Sequence, residues 1–387
     1  MSLDEFTANH WNRRFAVIKG HADKFSGLMT WNQLTELLET NIPLHRVLVV
    51  KEGNTIEPAR YITRPFMAPD GVLNHQALRN CLAAGATLLL SGIERHCSPL
   101  WRLVGDVERT LGSDTCINLY AGWRSTRGFE LHWDEQDTVL MQVEGQKGWR
   151  VYEPTVPHPL RKHPVDPPTP TGEPVWEGVL EAGDALYLPR GWWHVPLPVE
   201  GPSLHLTMTI EPPTGLRFVE WLAKQASRDP LLRMNVPFLA GDDDQKRYLR
   251  QLRETLNAAL GDDAIERFRR HCDSTSEARG SLLLPHRGES AVASLRPQSR
   301  VRLAVARALA LEPHDDPTLL NVIANDKKWT CPAVIAPALR ELRCDSFIGV
   351  ESLSDALTDS SASVSLLRFL AMLALAGALT VENPAGH

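Results

Sequence analysis

The chain has 387 residues, 43% of them hydrophobic and 23% charged, with a formal net charge of −6. These values describe a globular chain of two or three domains and give no support to nucleic-acid binding through phosphate contacts. Its six cysteines (Cys81, Cys97, Cys116, Cys272, Cys331, Cys344) contain no C-x-x-C pair, which argues against a disulfide framework or a thiolate zinc site and makes a reducing cytoplasm the expected setting.

The N-terminal stretch MSLDEFTANHWNRR lacks an apolar core, so no signal peptide is expected. Val47 to Val50 reads as a strand, and His75 to Ser91 as a helix running into an apolar segment. Further strands are expected at Cys116–Tyr120, Thr138–Val143, Trp149–Tyr152, Ala185–Leu188 and Ser203–Ile210, separated by Gly, Pro and Asp clusters. The Pro-rich segment from Pro154 to Pro174 is expected to be an irregular loop. Many short strands with such punctuation favour a β-barrel or jelly roll over a parallel sheet.

The Pro212-Pro213 pair marks a boundary. After it, Leu249, Leu252, Leu256 and Leu260 recur at helical spacing among charged residues, the pattern of an amphipathic helix packed on another helix or on a partner. A second break falls near Pro285 to Arg300. Helical patterns are then expected around Val301–Leu311, Pro332–Leu342 and Val364–Ala376. The longest strongly apolar run, Phe369 to Val381, is too short to cross a bilayer. The expected organisation is a catalytic domain over 1–211, a helical region over 212–289 and a small C-terminal domain over 290–387.

The chemistry concentrates in two segments. In Phe129-Glu-Leu-His132-Trp-Asp134 a histidine and an aspartate stand two apart, and on a strand such residues share a face. In Gly183-Asp184-Ala-Leu-Tyr-Leu-Pro-Arg-Gly-Trp-Trp-His194 a strand, a Pro-Arg-Gly turn and a return strand could carry His194 back across a barrel. Two imidazoles and one carboxylate form the facial donor set of non-haem Fe(II) oxygenases. A bare H-x-D is common, and its weight here comes from this context.

The run His132-Trp-Asp134-Glu-Gln-Asp-Thr-Val-Leu-Met-Gln-Val-Glu-Gly-Gln-Lys147-Gly-Trp149-Arg resembles the signature of the JmjC-type cupin oxygenases of the ribosomal oxygenase family. So do the Gly183–His194 segment and Ser203-Leu-His-Leu-Thr207. The motif similarity spans about Cys116 to Ile210. The resemblance implies a double-stranded β-helix (jelly-roll cupin) barrel, then a helical dimerisation region and a winged-helix-like C-terminal domain. It implies Fe(II) held by His132, Asp134 and His194, with 2-oxoglutarate as co-substrate and O₂ as oxidant. Lys147 matches the basic residue that anchors the far carboxylate of 2-oxoglutarate, a task suited to a point cation. Read from sequence alone, a solvated turn lysine after Gly145 is the alternative. Tyr120 matches a tyrosine that hydrogen-bonds the co-substrate, against the reading of a buried, satisfied tyrosine. Asn118 on the same strand face and Thr207 on the last strand are further candidate contacts, with Ser203, His205 and Thr209 behind them.

Trp192 and Trp193 are expected to pack around the metal, and Glu135, Asp137 and Glu144 to form a solvated charged face, with attraction of a basic substrate as the alternative. The resemblance implies hydroxylation of a side chain in a protein, ribosomal proteins included, or a peptide. Family histidine hydroxylases carry Lys at the position of Lys147, while bacterial arginine hydroxylases often carry Arg, which favours a histidyl target. A tailoring oxygenase on a biosynthetic peptide or small molecule is a second reading. Other cupin enzymes usually bind metal with three histidines and a glutamate, which Asp134 does not match. A non-catalytic barrel whose last domain contacts DNA is a further reading. Against it, residues 290–387 carry nine Lys or Arg and ten Asp or Glu, a poor phosphate footprint. A homodimer without membrane association is expected.

Overall fold

The computed structural model describes all residues except 41, 124–128, 161–166, 198, 277–294, 305–308, 325–326, 345, 358–359 and 383–387. The chain divides into two compact units, one of Met1–Val104 with Ser113–Pro212, the other of Gly105–Gly112 with Pro213–His387.

The first unit is built on two antiparallel sheets. Eight strands form the larger: β1 (Ala16–Ile18), β2 (Val47–Lys51), β3 (Asn54–Thr55), β6 (Thr87–Leu90), β7 (Asp114–Gly122), β8 (Asp137–Glu144), β11 (Ala185–Leu188) and β13 (Ser203–Glu211). Their order is β1-β11-β8-β13-β7-β6-β2-β3. The smaller sheet has the order β10-β9-β12, from β9 (Gln146–Tyr152), β10 (Trp176–Glu181) and β12 (Trp193–Leu197). A short pair, β4 (Ile62–Thr63) and β5 (Val72–Leu73), stands apart from both. Strands expected from the sequence lie within β2, β7, β8, β9, β11 and β13, and the His75–Ser91 segment is the helix His75–Ala83 followed by β6. β10 was not anticipated.

Alternation decides which residues the barrel encloses. On β13, Leu204, Leu206 and Met208 point one way into apolar packing, while His205 and Thr207 point the other, and all five are buried. Leu140, Trp149, Val151, Leu180, Leu186, Leu188 and Trp192 form a core cluster against which Phe15, Val17 and Trp176 pack. Each fully buried Leu there contributes on the order of 2 kcal/mol.

Two glycines fix the chain path. Gly145, in the hairpin from β8 to β9, has φ +68°, and a Cβ there would stand 2.0 Å from the Pro202 carbonyl oxygen. Gly183, in the turn before β11, has φ +90°, and its Cβ would meet the His21 carbonyl oxygen at 1.9 Å. Neither place admits a side chain. Beside Gly183, the buried carboxylate of Asp184 accepts from Lys19 Nζ (2.6 Å), Glu181 N (3.0 Å) and Gly20 N (3.1 Å), tying the exit of β1 to this turn. Burial pushes the Asp184 carboxyl up, but the Lys19 ammonium and the two N–H donors outweigh it and hold the group below its ordinary value. A depressed carboxylate contributes stability that is complete above the unfolded pKa of about 3.9 and is lost as pH falls through the lower folded value. Asp184→Ala is therefore expected to cost about 3 kcal/mol at neutral pH and far less at a pH below that lower folded value, read as urea midpoints at both pH values. An equal loss at both would show that the charge is immaterial.

In the second unit, α-helices run over Gly215–Ala226, Asp242–Ala259 and Ala264–Thr275. Asp242, Asp243 and Asp244 occupy the first turn of the middle helix, where the helix dipole favours negative charge. The C-terminal part pairs Arg300–Leu303 with Leu379–Glu382 and Ile348–Gly349, and Ala310–Pro313 with Leu319–Ala324 and Lys327–Pro332. The helix expected over Val301–Leu311 is thus two strands at its described ends. Val301 and Leu303 alternate into a core that also receives Leu339, Leu353 and Leu370. The helix expected over Val364–Ala376 is Ser360–Leu375, and that expected over Pro332–Leu342 is reduced to Ala336–Glu341 after a single 3₁₀ turn. Of the break expected near Pro285 to Arg300, residues 285–294 lie outside the described residues. Among those residues no helix is long and apolar enough to cross a membrane.

Candidate metal centre and its cavity

His132, Asp134 and His194 converge. One potential ligand atom from each lies within 4.8 Å of the others, Asp134 Oδ2 stands 3.6 Å from His194 Nε2, and the two imidazole centroids are 4.3 Å apart. The strand expected to present His132 and Asp134 is not there, because both precede β8 in an irregular segment. A main-chain zipper does the work instead. His132 N donates to His194 O (3.1 Å), His194 N to His132 O (2.7 Å) and Gly191 N to Asp134 O (3.0 Å). The Pro-Arg-Gly turn is what brings Gly191 and His194 back, as the sequence suggested.

Each histidine is held in one tautomer. His132 Nδ1 lies 2.7 Å from Glu130 O, and His194 Nδ1 lies 3.1 Å from Trp192 O. A carbonyl oxygen only accepts, so both Nδ1 atoms carry the proton and both Nε2 lone pairs are free for a cation. Burial pushes the His194 imidazole down to about 4, with Asp134 opposing and His132 adding to the shift. It is therefore neutral at pH 7, the form a metal requires.

The three groups border a cavity of about 240 Å³ between the sheets. Tyr120, Thr138, Leu140, His205 and Thr207 line it from the larger sheet, and Lys147, Trp149, His194 and Pro196 from the smaller. Lys147 and Trp149 share a face of β9 because they stand two apart. Burial holds the Lys147 ammonium below its ordinary value, and no anion among the described residues pairs with it. Burial, and then the Asp134 charge, raise the Tyr120 phenol above its ordinary value, so it remains a hydroxyl donor. Its ring stacks on His205 at 4.8 Å and 1°.

Of the residues singled out from sequence, His132, Asp134, His194, Lys147, Tyr120 and Thr207 all line this cavity. Asn118 does not. Its Oδ1 accepts from Gly92 N at 3.1 Å, bracing a residue with φ +61°. Ser203 Oγ accepts from Gln142 Nε2, and Thr209 Oγ1 sits 2.8 Å from Cys116 Sγ. Trp192 and Trp193 pack outside the cavity, against Phe15 and onto Thr155 Oγ1. Trp149 takes the place expected of them, 6.0 Å from His194 and 5.7 Å from His205 between ring centroids. Its spacing from Lys147 is the signal that could have found it. Asp137, expected on a solvated face, is wholly buried.

The residues fit a divalent cation with a carboxylate-bearing ligand beside it: two aligned imidazole lone pairs, one carboxylate, and an unpaired cation in the same cavity.

Residues 91–218 match the family model of the JmjC domain. The chain is 31% identical to human Ribosomal oxygenase 1 over 216 residues, 54% of this chain and 33% of that protein. It is 35% identical to rat Ribosomal oxygenase 2 over 126 residues, 32% of this chain and 27% of that protein. The chain thus spans about a third of the length of the curated relatives it matches. Among solved structures, YcfD, a ribosomal oxygenase from Escherichia coli in complex with cobalt and 2-oxoglutarate, aligns with a TM-score of 0.60 and 18% identity over 99% of both chains. Its complex with cobalt and succinic acid gives 0.62 and 19%, again over 99% of both. At that identity the likeness is one of fold, over the whole length.

Proposed function

We propose that the protein, whose residues 91–218 match the JmjC domain model and whose sequence is similar to ribosomal oxygenases, is an Fe(II)- and 2-oxoglutarate-dependent oxygenase hydroxylating a side chain of a protein or peptide, ribosomal proteins first. The observation that carries this reading is the convergence of two imidazoles and one carboxylate within 4.8 Å on a cavity that also holds a cation with no described counter-ion.

In this reading His132, Asp134 and His194 hold Fe(II). Bound there, the ion supplies O₂ activation coupled to decarboxylation of 2-oxoglutarate to succinate and CO₂. Lys147 takes the far carboxylate of 2-oxoglutarate, and the Tyr120 and Thr207 hydroxyls, which line the same cavity, would hydrogen-bond the same molecule. Leu140, Trp149 and Pro196 form apolar wall that excludes water. Asn118 acts through Gly92 rather than on the ligand.

Asp134 is the one carboxylate among the described lining residues, and the metal takes it. A guanidinium target would find no counter-charge there and would meet Lys147. This supports a neutral side chain such as histidine over arginine, in line with lysine rather than arginine at 147.

The reading extends to a homodimer formed through region 212–289. The helix Asp242–Ala259 has no buried residue, and Leu216, Val219, Phe238, Leu239 and Leu249 of the same region stand exposed, apolar surface that a second copy would cover. Residues 290–387 would be a winged-helix-like domain, residues 1–211 the catalytic one, and the setting the cytoplasm.

Anaerobic addition of 2-oxoglutarate to the Fe(II)-loaded protein tests the proposal through the visible metal-to-ligand charge-transfer band of the chelate. The band is expected in the wild type and absent from His132→Ala. Iron binding without a band would remove 2-oxoglutarate from the reading. Incubation with ribosomal proteins and peptides, read by mass spectrometry for one added oxygen on histidine, tests the target, and addition on arginine would overturn the choice made here.

A further inference from the structure

Asp137 is the most deeply buried carboxylate among the described residues of the barrel, at 0% exposure, and the proposed chemistry gives it no task. It opens β8, three residues beyond Asp134. Its Oδ1 accepts from Arg190 N at 2.9 Å and its Oδ2 from the Tyr187 hydroxyl at 2.7 Å. Arg190 belongs to the turn that returns the chain to His194, and the next residue, Gly191, donates to the Asp134 carbonyl. The segment holding His132 and Asp134 and the segment holding His194 are therefore joined by four hydrogen bonds. Three are main-chain, and the fourth comes from the Asp137 side chain.

We propose that Asp137, oriented by Tyr187, is a positioning residue for the metal centre, fixing the separation between the His132–Asp134 segment and the turn that carries His194. The His132–Asp134 segment lies in no named strand, and it meets His194 only through an isolated bridge, because β12, which carries His194, pairs with β9 instead. The β8–β11 ladder ends at Thr138 and Leu188, and from there to the ligands the Asp137 side chain adds the one lateral tie to the three peptide hydrogen bonds. A buried carboxylate accepting two donors is the strong form of such a tie.

Tyr187 is itself held. Its oxygen accepts from Asn12 N at 3.0 Å. Phe6 packs edge-on to its ring at 4.8 Å, and Trp11 stacks on it at 6.0 Å. The N-terminal segment thus fixes the phenol that fixes the carboxylate. Metal-ligand geometry is sensitive to such outer partners, whose loss weakens metal affinity by roughly 10–100-fold.

The inference rests on the metal reading above, and its test keeps the two apart. The full-length apoprotein is titrated anaerobically with Co(II), following the d–d absorption, for the wild type, His132→Ala, Asp137→Asn and Tyr187→Phe. The wild type is expected to bind and His132→Ala not to. Asp137→Asn keeps an acceptor for Arg190 N but leaves the Tyr187 proton without one. It is expected to bind Co(II) roughly 10–100-fold more weakly, with an altered d–d envelope and a cooperative thermal transition. Tyr187→Phe keeps the ring packing, is expected to shift affinity the same way by a smaller factor, and carries the test alone if Asp137→Asn does not fold. A lowered melting temperature with wild-type affinity and spectrum would reduce Asp137 to a fold residue and overturn the proposal. Failure of the wild type to bind, or equal binding by His132→Ala, would instead bring down the metal reading, and the positioning role with it.

Discussion

Asp134→Ala is expected to abolish turnover and to lower Fe(II) affinity by more than roughly 100-fold, beyond the cost of losing an outer partner of a ligand. Asp134 carries the only negative charge among the three converging groups. Without it two neutral imidazoles face the ion, and its positive charge is left uncompensated in a confined site. The loss should be chemical rather than structural. The Asp134 main-chain oxygen, not its side chain, accepts from Gly191 N, and the His132–His194 bridge is also main-chain, so alanine leaves the zipper closed. Nor does the substitution create a proton competitor for the ion. Asp134 is the group that opposes the fall of the His194 pKa, and its removal leaves that imidazole still more firmly neutral. Iron content after desalting and succinate formation at saturating iron and 2-oxoglutarate are the measurements. Turnover within tenfold of wild type would mean that Asp134 is not a ligand.

The barrel was legible because its signals are local. Ala185–Leu188 is four apolar residues between a Gly-Asp turn and Pro-Arg-Gly, and Ser203–Glu211 alternates along its length. The His132, Asp134 and His194 set was legible because donor chemistry narrows the choices. The support of the set was not. Spacing suggested a strand carrying His132 and Asp134, whereas their common direction comes from bonds to a segment some 60 residues later, which no local pattern records. Asn118 shares a strand face with Tyr120, but one residue faces the cavity and the other is spent on a left-handed glycine. Asp137 read as surface charge because composition cannot show that Tyr187 and Arg190 N converge on it. The run from Val301 to Leu311 is apolar apart from Arg302 and Arg307, so helical and strand periods both fit. Pairing of Arg300–Leu303 with Leu379–Glu382, far along the chain, decides for a strand at its start.

Lys147→Ala is expected to raise the 2-oxoglutarate KM by roughly 10–100-fold while leaving kcat at saturation nearly unchanged. A charge-assisted contact with a carboxylate contributes about 1.5–3 kcal/mol, and each 1.4 kcal/mol is about tenfold in affinity. The far carboxylate does not change during the reaction, so the loss falls equally on ground and transition states and appears in KM. Lys147→Arg retains the charge and should lose much less, although its planar fork needs a wider approach than the compact ammonium. The pH dependence separates a clamp from a packing residue. Burial alone holds the Lys147 ammonium below its ordinary value, because no carboxylate among the described residues offsets it. A bound carboxylate restores the charged form, so ligand binding and proton uptake at Lys147 are linked. Affinity should therefore be constant at lower pH and decline as pH rises through the depressed value of the free protein, earlier than an ordinary lysine would allow. An arginine stays charged across that range, so Lys147→Arg should flatten the profile. A KM for Lys147→Ala equal to that of the wild type, with the same alkaline decline, would place the carboxylate clamp elsewhere in the cavity. A raised KM with an unchanged profile would mean that Lys147 shapes the wall without carrying the charge.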